Sequence, residues 1–195
     1  MMEINSQNNR FIVLDSLPAY DVMYVPITPY KVNTYSEGLV IRFFKNDGTN
    51  WIANVHLGGK SFNHVRAFKK CNLLLIIAGG RCYLINPDNE HVYDSLDYVG
   101  FNSLIENPLG GFILEDSLGI MIFDEMGNHS YEYSISYGGF KNLTIQNNVL
   151  CGYALDLNSS YNQDYYFSLN LKSRKLKGGV PKSSGNSVTS WWRFW

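Results

Sequence analysis

The sequence has few charged residues and few cysteines, and it contains no long hydrophobic segment. Charged residues make up 17% of the chain, below the ~25% that is usual in soluble domains. Because 45% of the residues are hydrophobic, a wholly disordered chain is not expected. The three cysteines show no CxxC spacing, which argues against a disulfide framework and against a zinc site. The longest apolar run, Leu73 to Ala78, is far shorter than the ~20 residues of a membrane helix.

Motifs of the common enzyme and cofactor sites are also missing. The chain has no GxGxxG or GxxxxGK[ST] loop, no HExxH pattern and no GxSxG elbow, although such sites depend on those spacings. Its glycine pairs therefore indicate turns, and its four histidines indicate structural positions. We expect no catalytic residues, no metal site and no cofactor.

Length and the first residues predict one domain in the cytoplasm. A compact domain of 195 residues removes roughly 70% of its unfolded surface from water, enough for a core without metal or disulfide bonds. The segment Met1 to Arg10 is polar and lacks the hydrophobic region of a signal peptide. We expect residues 1–195 to form a single cytoplasmic domain.

The composition is typical of β-structure. With 14 Tyr, 11 Phe and 17 Gly, the chain is rich in strand and turn formers, and no window keeps a capped 3.6-residue apolar period. A hairpin is predicted between Arg42 and Val55, where Asp47-Gly48 supplies the positive φ of its turn. The predicted strands are Phe11–Leu14, Leu39–Phe44, Trp51–Val55, Leu73–Ala78, Cys82–Ile85, Gly111–Leu114, Ile120–Phe123, Tyr131–Ile135 and Tyr165–Leu169.

An internal repeat organises these strands. The tripeptides that begin at Ser61, Gly100 and Gly139 follow one another at offsets of 39 residues, and each has Phe at its centre. The segment Leu84–Tyr93 aligns with Ile122–Tyr131 without a gap. The pattern predicts four units, near residues 20–60, 61–99, 100–138 and 139–180.

A period near 40 built only of strands resembles the blade of a β-propeller. This resemblance is to the class alone, because the chain has no Trp-Asp dipeptide and no Gly-His blade signature. It implies an all-β fold of about four blade-like repeats of short antiparallel strands, in a closed or an open ring; a β-sandwich is the alternative. The aromatic segment 188–195 would then be a C-terminal strand.

Charge is distributed unevenly along the chain. No Lys or Arg occurs from Cys82 to Phe140, a stretch that holds ten acidic residues. Basic residues dominate both flanks, 31–81 and 165–195. In a repeat fold a continuous sequence forms one wedge of the surface. We therefore expect an acidic face that attracts a basic partner and repels nucleic acid.

This combination resembles a bacterial immunity protein, which binds and neutralises one cognate toxin. The implied partner is a basic protein such as a toxin nuclease, with no direct contact to nucleic acid or to a membrane. A structural or scaffolding module is the alternative, and a ligand-binding or enzymatic propeller is a third. The residues predicted to bind the partner are Asp88, Glu90, Asp94, Asp97, Glu115, Asp116, Asp124 and Glu125.

Overall fold

The computed structural model describes residues 10–20, 23–29, 36–90, 92–132, 134–158 and 163–181. Across these ranges it contains β-strands and no helix, so none that could span a membrane. The prediction of an all-β chain is confirmed. The strands are β1 (Phe11–Leu14), β2 (Val25–Ile27), β3 (Leu39–Phe44), β4 (Asn50–Val55), β5 (His64–Ala67), β6 (Leu74–Ala78), β7 (Arg81–Ile85), β8 (Val92–Val99), β9 (Ser103–Glu106), β10 (Phe112–Glu115), β11 (Ile120–Phe123), β12 (His129–Glu132), β13 (Phe140–Gln146), β14 (Val149–Asp156), β15 (Gln163–Asn170) and β16 (Leu176–Gly178).

The strands form four sheets of four strands each. Sheet 1 has the order β1-β3-β4-β2, and sheets 2, 3 and 4 run in sequence order as β5 to β8, β9 to β12 and β13 to β16. All the pairings are antiparallel except that of β2 with β4. The chain divides into two compact units, Met1–Glu132 and Tyr133–Trp195. Unit 1 therefore holds sheets 1 to 3, and unit 2 holds sheet 4.

The strands of sheets 2, 3 and 4 lie inside the predicted sequence units 61–99, 100–138 and 139–180. Sheet 1 reaches further back than its predicted unit 20–60, because β1 pairs with β3 along its whole length. The hairpin predicted around Asp47-Gly48 is confirmed, with φ of +85° at Gly48. The segment 188–195 lies outside the described residues.

Sheet 2 is buried on both faces, which explains its unbroken apolar sequence. Its strands β6 and β7 present alternate residues to the two sides. Leu74, Ile76 and Tyr83 pack in one cluster with Phe43 and Trp51 of sheet 1. The other face packs in a second cluster with sheet 3; this cluster includes Leu75, Ile77, Cys82, Leu84, Phe112, Leu114, Met121 and Phe123. Two hydrophobic cores thus join the three sheets of unit 1.

Sheet 4 buries one face and exposes the other. Along β14 and β15, Leu150, Ala154, Phe167 and Leu169 are fully buried, whereas Tyr153 and Tyr166 are exposed. This alternation is that of an antiparallel sheet with one solvated face.

Gly111, just before β10, sits where two hairpins of sheet 3 come into close contact. Its φ is +82°, and a Cβ added there would lie 2.4 Å from the carbonyl oxygens of Phe123 and Asp124. Gly48 has a similar φ of +85° but has nothing within 4 Å of the same point. A substitution at Gly48 therefore tests backbone strain alone, whereas a substitution at Gly111 tests backbone strain together with a steric clash.

Gly48→Ala is expected to lower the free energy of unfolding by about 1–2 kcal/mol, the cost of a left-handed conformation in an L-residue. Gly111→Ala carries that strain and also forces two backbone segments apart, so a loss of about 4 kcal/mol or more is expected. Urea unfolding of both variants measures the difference. Equal losses would show that the two hairpins do not approach each other as described.

Candidate functional site

Five hairpin turns of unit 1 form one continuous surface, which we call the turn surface. They join strands of all three sheets and contact one another through side chains. Lys45 and Asn46 of the first turn reach the turn after β7, and Lys70 of the second reaches the turn after β11. The turn surface consists of residues 45–49, 68–73, 86–90, 107–111 and 124–128.

The carboxylate of Asp88 is the centre of this surface. It accepts hydrogen bonds from the backbone N–H of Asn46 (2.7 Å) and from its side-chain amide (2.7 Å), and also from the Asn72 amide (2.5 Å). The Arg10 guanidinium lies 2.6 Å from Oδ1 of Asp88. Only 20% of the Arg10 side chain and 26% of the Asp88 side chain are exposed. Asp88 therefore ties turns of sheets 1 and 2 together.

These contacts control the ionisation of Asp88. Partial burial alone would raise its pKa, but the hydrogen bonds from Asn46 and Asn72 and the charge of Arg10 outweigh it. The pKa of Asp88 is lowered as a result, so the group is an anion at neutral pH. Its charge is already balanced inside the protein.

Glu90 is exposed on the turn surface and Glu125 is partly exposed there, and each pairs with a lysine of another turn. The Lys45 ammonium lies 2.9 Å from Oε1 of Glu90, and the Lys70 ammonium lies 2.7 Å from Oε1 of Glu125. The hydrogen bond from Lys45 to Glu90 raises the pKa of that lysine. Exposed ion pairs of this kind contribute only about 0–1 kcal/mol to stability.

Asp124 closes the turn between β11 and β12. It accepts hydrogen bonds from the backbone N–H groups of Met126 (2.8 Å) and Asn128 (3.0 Å), and from the Asn128 amide (2.9 Å). Burial is the largest single effect and raises the pKa of Asp124, but the hydrogen bonds together outweigh it and lower the pKa below the ordinary value. The main role of this carboxylate is therefore to hold the turn.

Glu115 and Asp116 lie at the opposite end of sheet 3, because consecutive turns of a meander alternate between its two ends. Asp116 accepts hydrogen bonds from the N–H groups of Leu118 and Gly119 and from the Tyr131 hydroxyl. The structure therefore does not bring these two acids together with those of the turn surface.

Glu115 is buried, with 8% of its surface exposed. Its Oε2 atom has no hydrogen-bond partner among the described residues. Burial raises the pKa of Glu115, and the polar side chains of Ser103 and Asn102 oppose this only in part. A buried carboxyl of this kind is poorly placed for contact with a protein surface.

The remaining predicted acids, Asp94 and Asp97, lie in β8. Their side chains, like the whole of His91, lie outside the described residues. Among the residues that the structure describes, no group of three or more His, Cys, Asp or Glu is placed to hold a metal ion. The three cysteines are free thiols.

Sequence reasoning missed the basic half of the turn surface. It separated the chain into basic flanks and an acidic centre, whereas the structure places Arg10, Lys45 and Lys70 against acids 45 to 78 residues away. It also passed over Asp47, whose pKa is lowered by hydrogen bonds from Thr49. One signal in the sequence was the alignment of Leu84–Tyr93 with Ile122–Tyr131, which places the turns after β7 and β11 at equivalent positions.

No known protein family matches the sequence, and comparison with curated proteins and with solved structures finds no match.

Asp88→Asn is expected to lower the free energy of unfolding by about 1–3 kcal/mol near neutral pH, because hydrogen bonds to a charged group are worth roughly that much. The folded pKa of Asp88 is lowered, so its contribution is present above the unfolded value of ~3.9 and is lost as the pH falls through the folded value. The difference in the free energy of unfolding between the parent and the variant should therefore become smaller below about pH 4. Urea unfolding across this pH range measures it.

Glu90→Gln is the matched control, because it removes an exposed acid of the neighbouring ion pair. It is expected to change stability by less than ~0.5 kcal/mol. Equal effects of the two substitutions would contradict a central role for Asp88.

Proposed function

We propose that this chain is a non-catalytic protein-binding domain that contacts a basic protein partner through the turn surface of unit 1. The observation that carries the proposal is the gathering of five turns into one continuous, hydrogen-bonded surface, on which Glu90 is exposed and Glu125 is partly exposed. Loops held on a rigid scaffold are the usual location of binding residues.

Apolar groups beside these acids support the proposal. Leu109 and Met126 are exposed on adjacent turns, and Gly110 lies against the Glu125 side chain. Underneath, Phe68 and Leu73 pack close to Gly127. Protein interfaces commonly combine an apolar centre with a charged rim, and a surface that is already ordered loses little entropy when a partner binds.

The ion pairs of the turn surface suggest how a basic partner is accommodated. Lys45 and Lys70 are attached to Glu90 and Glu125 through exposed contacts, which are weak and easily exchanged. Arginine side chains of a partner would replace the lysines and form bidentate contacts with the same carboxylates. The acids that hold turns, Asp88 and Asp124, would keep their internal partners.

A propeller-like arrangement is part of the proposal. It is supported by four four-stranded sheets that follow one another along the chain and by the face-to-face packing of sheets 1 to 3. Such a scaffold presents the turns of successive blades at one rim.

The most specific form of the proposal is an immunity protein that neutralises a basic toxin nuclease, with the cytoplasm as the predicted compartment. Acidic side chains of the turn surface would occupy the positions that substrate phosphates take in the nuclease. The alternative scaffolding role would use the rim of the fold together with the aromatic segment 188–195, and that segment lies outside the described residues.

The double charge reversal Glu90→Lys/Glu125→Lys is expected to weaken binding of a basic partner by tenfold or more, because two attractive contacts become repulsive. Neither residue is buried, and each side chain contacts its partner lysine at the protein surface, so the fold should be retained. Partners captured from a lysate at about 0.05 M and about 0.5 M salt are identified by mass spectrometry, and the purified partner is then titrated against each variant.

The control is Asp15→Lys/Glu37→Lys, which makes the same change in net charge. Asp15 follows β1 and Glu37 precedes β3, so both lie at the far end of sheet 1 from its turn-surface hairpin. Equal weakening by the two double variants would argue against the turn surface. If the purified partner is a nuclease, inhibition of its activity by this chain tests the immunity role directly.

A further inference from the structure

We propose that the exposed face of sheet 4 in unit 2 is a binding surface for single-stranded nucleic acid. This goes beyond the proposed function and does not depend on it, because it concerns other residues and a partner of the opposite charge.

A row of three side chains crosses the sheet on this face. Lys141 of β13 is the register partner of Tyr153 in β14, and Tyr153 is the register partner of Tyr166 in β15. Register partners on adjacent strands point to the same side. The two tyrosines are 42% and 57% exposed. Neighbouring exposed apolar side chains of this kind often mark a binding site.

The tyrosine rings form a pair with centroids 5.8 Å apart and planes at 73°. A planar base stacks on the open face of one ring and contacts the edge of the other. A tyrosine phenol is neutral near pH 7, so neither ring repels phosphate.

A second row supplies a further cation. Cys151, Ser168 and Lys177 are register partners across β14, β15 and β16, and they lie two residues along from the tyrosine row on the same face. Lysines therefore lie at both edges of the sheet, with the aromatic pair between them.

Unit 2 is basic as a whole, which indicates an anionic occupant. Its described residues include five Lys or Arg, and Asp156 and Asp164 are the only described acids. Lys172 and Lys175 are exposed in the turn between β15 and β16. Asp164 is already paired with Lys141 at 3.2 Å.

This arrangement favours single strands over other anions. Proteins that bind single strands combine a positive track for the backbone with aromatic rings on which bases stack, and sheet surfaces with exposed aromatics are a common form of such sites. In duplex DNA the bases are already stacked on each other. Acidic peptides offer charge but no ring to match the tyrosines.

The test is fluorescence anisotropy of the full chain with labelled dT and rU oligonucleotides of about twelve nucleotides, over a range of salt concentrations. Tyr153→Ala and Tyr166→Ala are each expected to weaken binding about tenfold, the cost of losing one stacked base. Lys177→Ala should reduce the magnitude of the slope of log affinity against log salt by about 0.7. Lys141→Ala should reduce it by less, because Lys141 already pairs with Asp164.

Tyr20→Ala and Lys69→Ala are the matched controls, because both residues are exposed in unit 1. They are expected to leave affinity and salt slope unchanged, and thermal unfolding checks that all the variants are folded. The proposal is overturned if neither oligonucleotide binds, if the tyrosine variants bind like the parent, or if duplex DNA or polyglutamate binds as tightly as the single strands.

Discussion

Burial of both faces of sheet 2 is the constraint on which the rest of unit 1 depends. An antiparallel sheet usually needs cover on one side only, but β6 and β7 present apolar residues to both sides. Sheet 1 covers one face and sheet 3 covers the other. Because the sheets are packed face to face, their hairpin turns meet at one end and create the turn surface.

Charge then has two separate roles on that surface. Asp88 and Asp124 are used within the fold, where they satisfy backbone N–H groups and neighbouring amides that turns leave without partners. Glu90 and Glu125 instead form ion pairs with lysine side chains at the protein surface, where they remain at least partly accessible. The concentration of acids between residues 82 and 140 thus reflects, in part, the hydrogen-bonding needs of tight turns. Composition alone does not distinguish these roles, since both kinds of acid occupy the same hairpins.

Much of the fold is local and was accessible from the sequence. Short apolar runs between turn residues marked β3, β4, β6, β7 and β11, because a strand's own side chains determine its burial. The hairpin of β13 and β14 was missed, although Asn147 and Asn148 both adopt the positive φ that its turn requires. The predicted strand Tyr131–Ile135 was partly wrong: β12 ends at Glu132, and Ser134 has a φ of +59°.

The site was less predictable than the strands. Which acids are exposed depends on contacts such as that of Lys70 with Glu125, across 55 residues, and no local pattern encodes such a pairing. The exposed face of sheet 4 was equally hard to predict from the sequence, because Lys141, Tyr153 and Tyr166 become neighbours only through the register of three strands.

The order of the sheets has a consequence for synthesis of the chain. Each core of unit 1 is shared between a sheet and the next one to be made. As the polypeptide leaves the ribosome, the apolar face of sheet 1 stays uncovered until sheet 2 has emerged, and sheet 2 then exposes its own second face until sheet 3 arrives. Until sheet 3 has emerged, the nascent chain therefore carries an open hydrophobic surface at its growing end, and chaperone binding is most useful there.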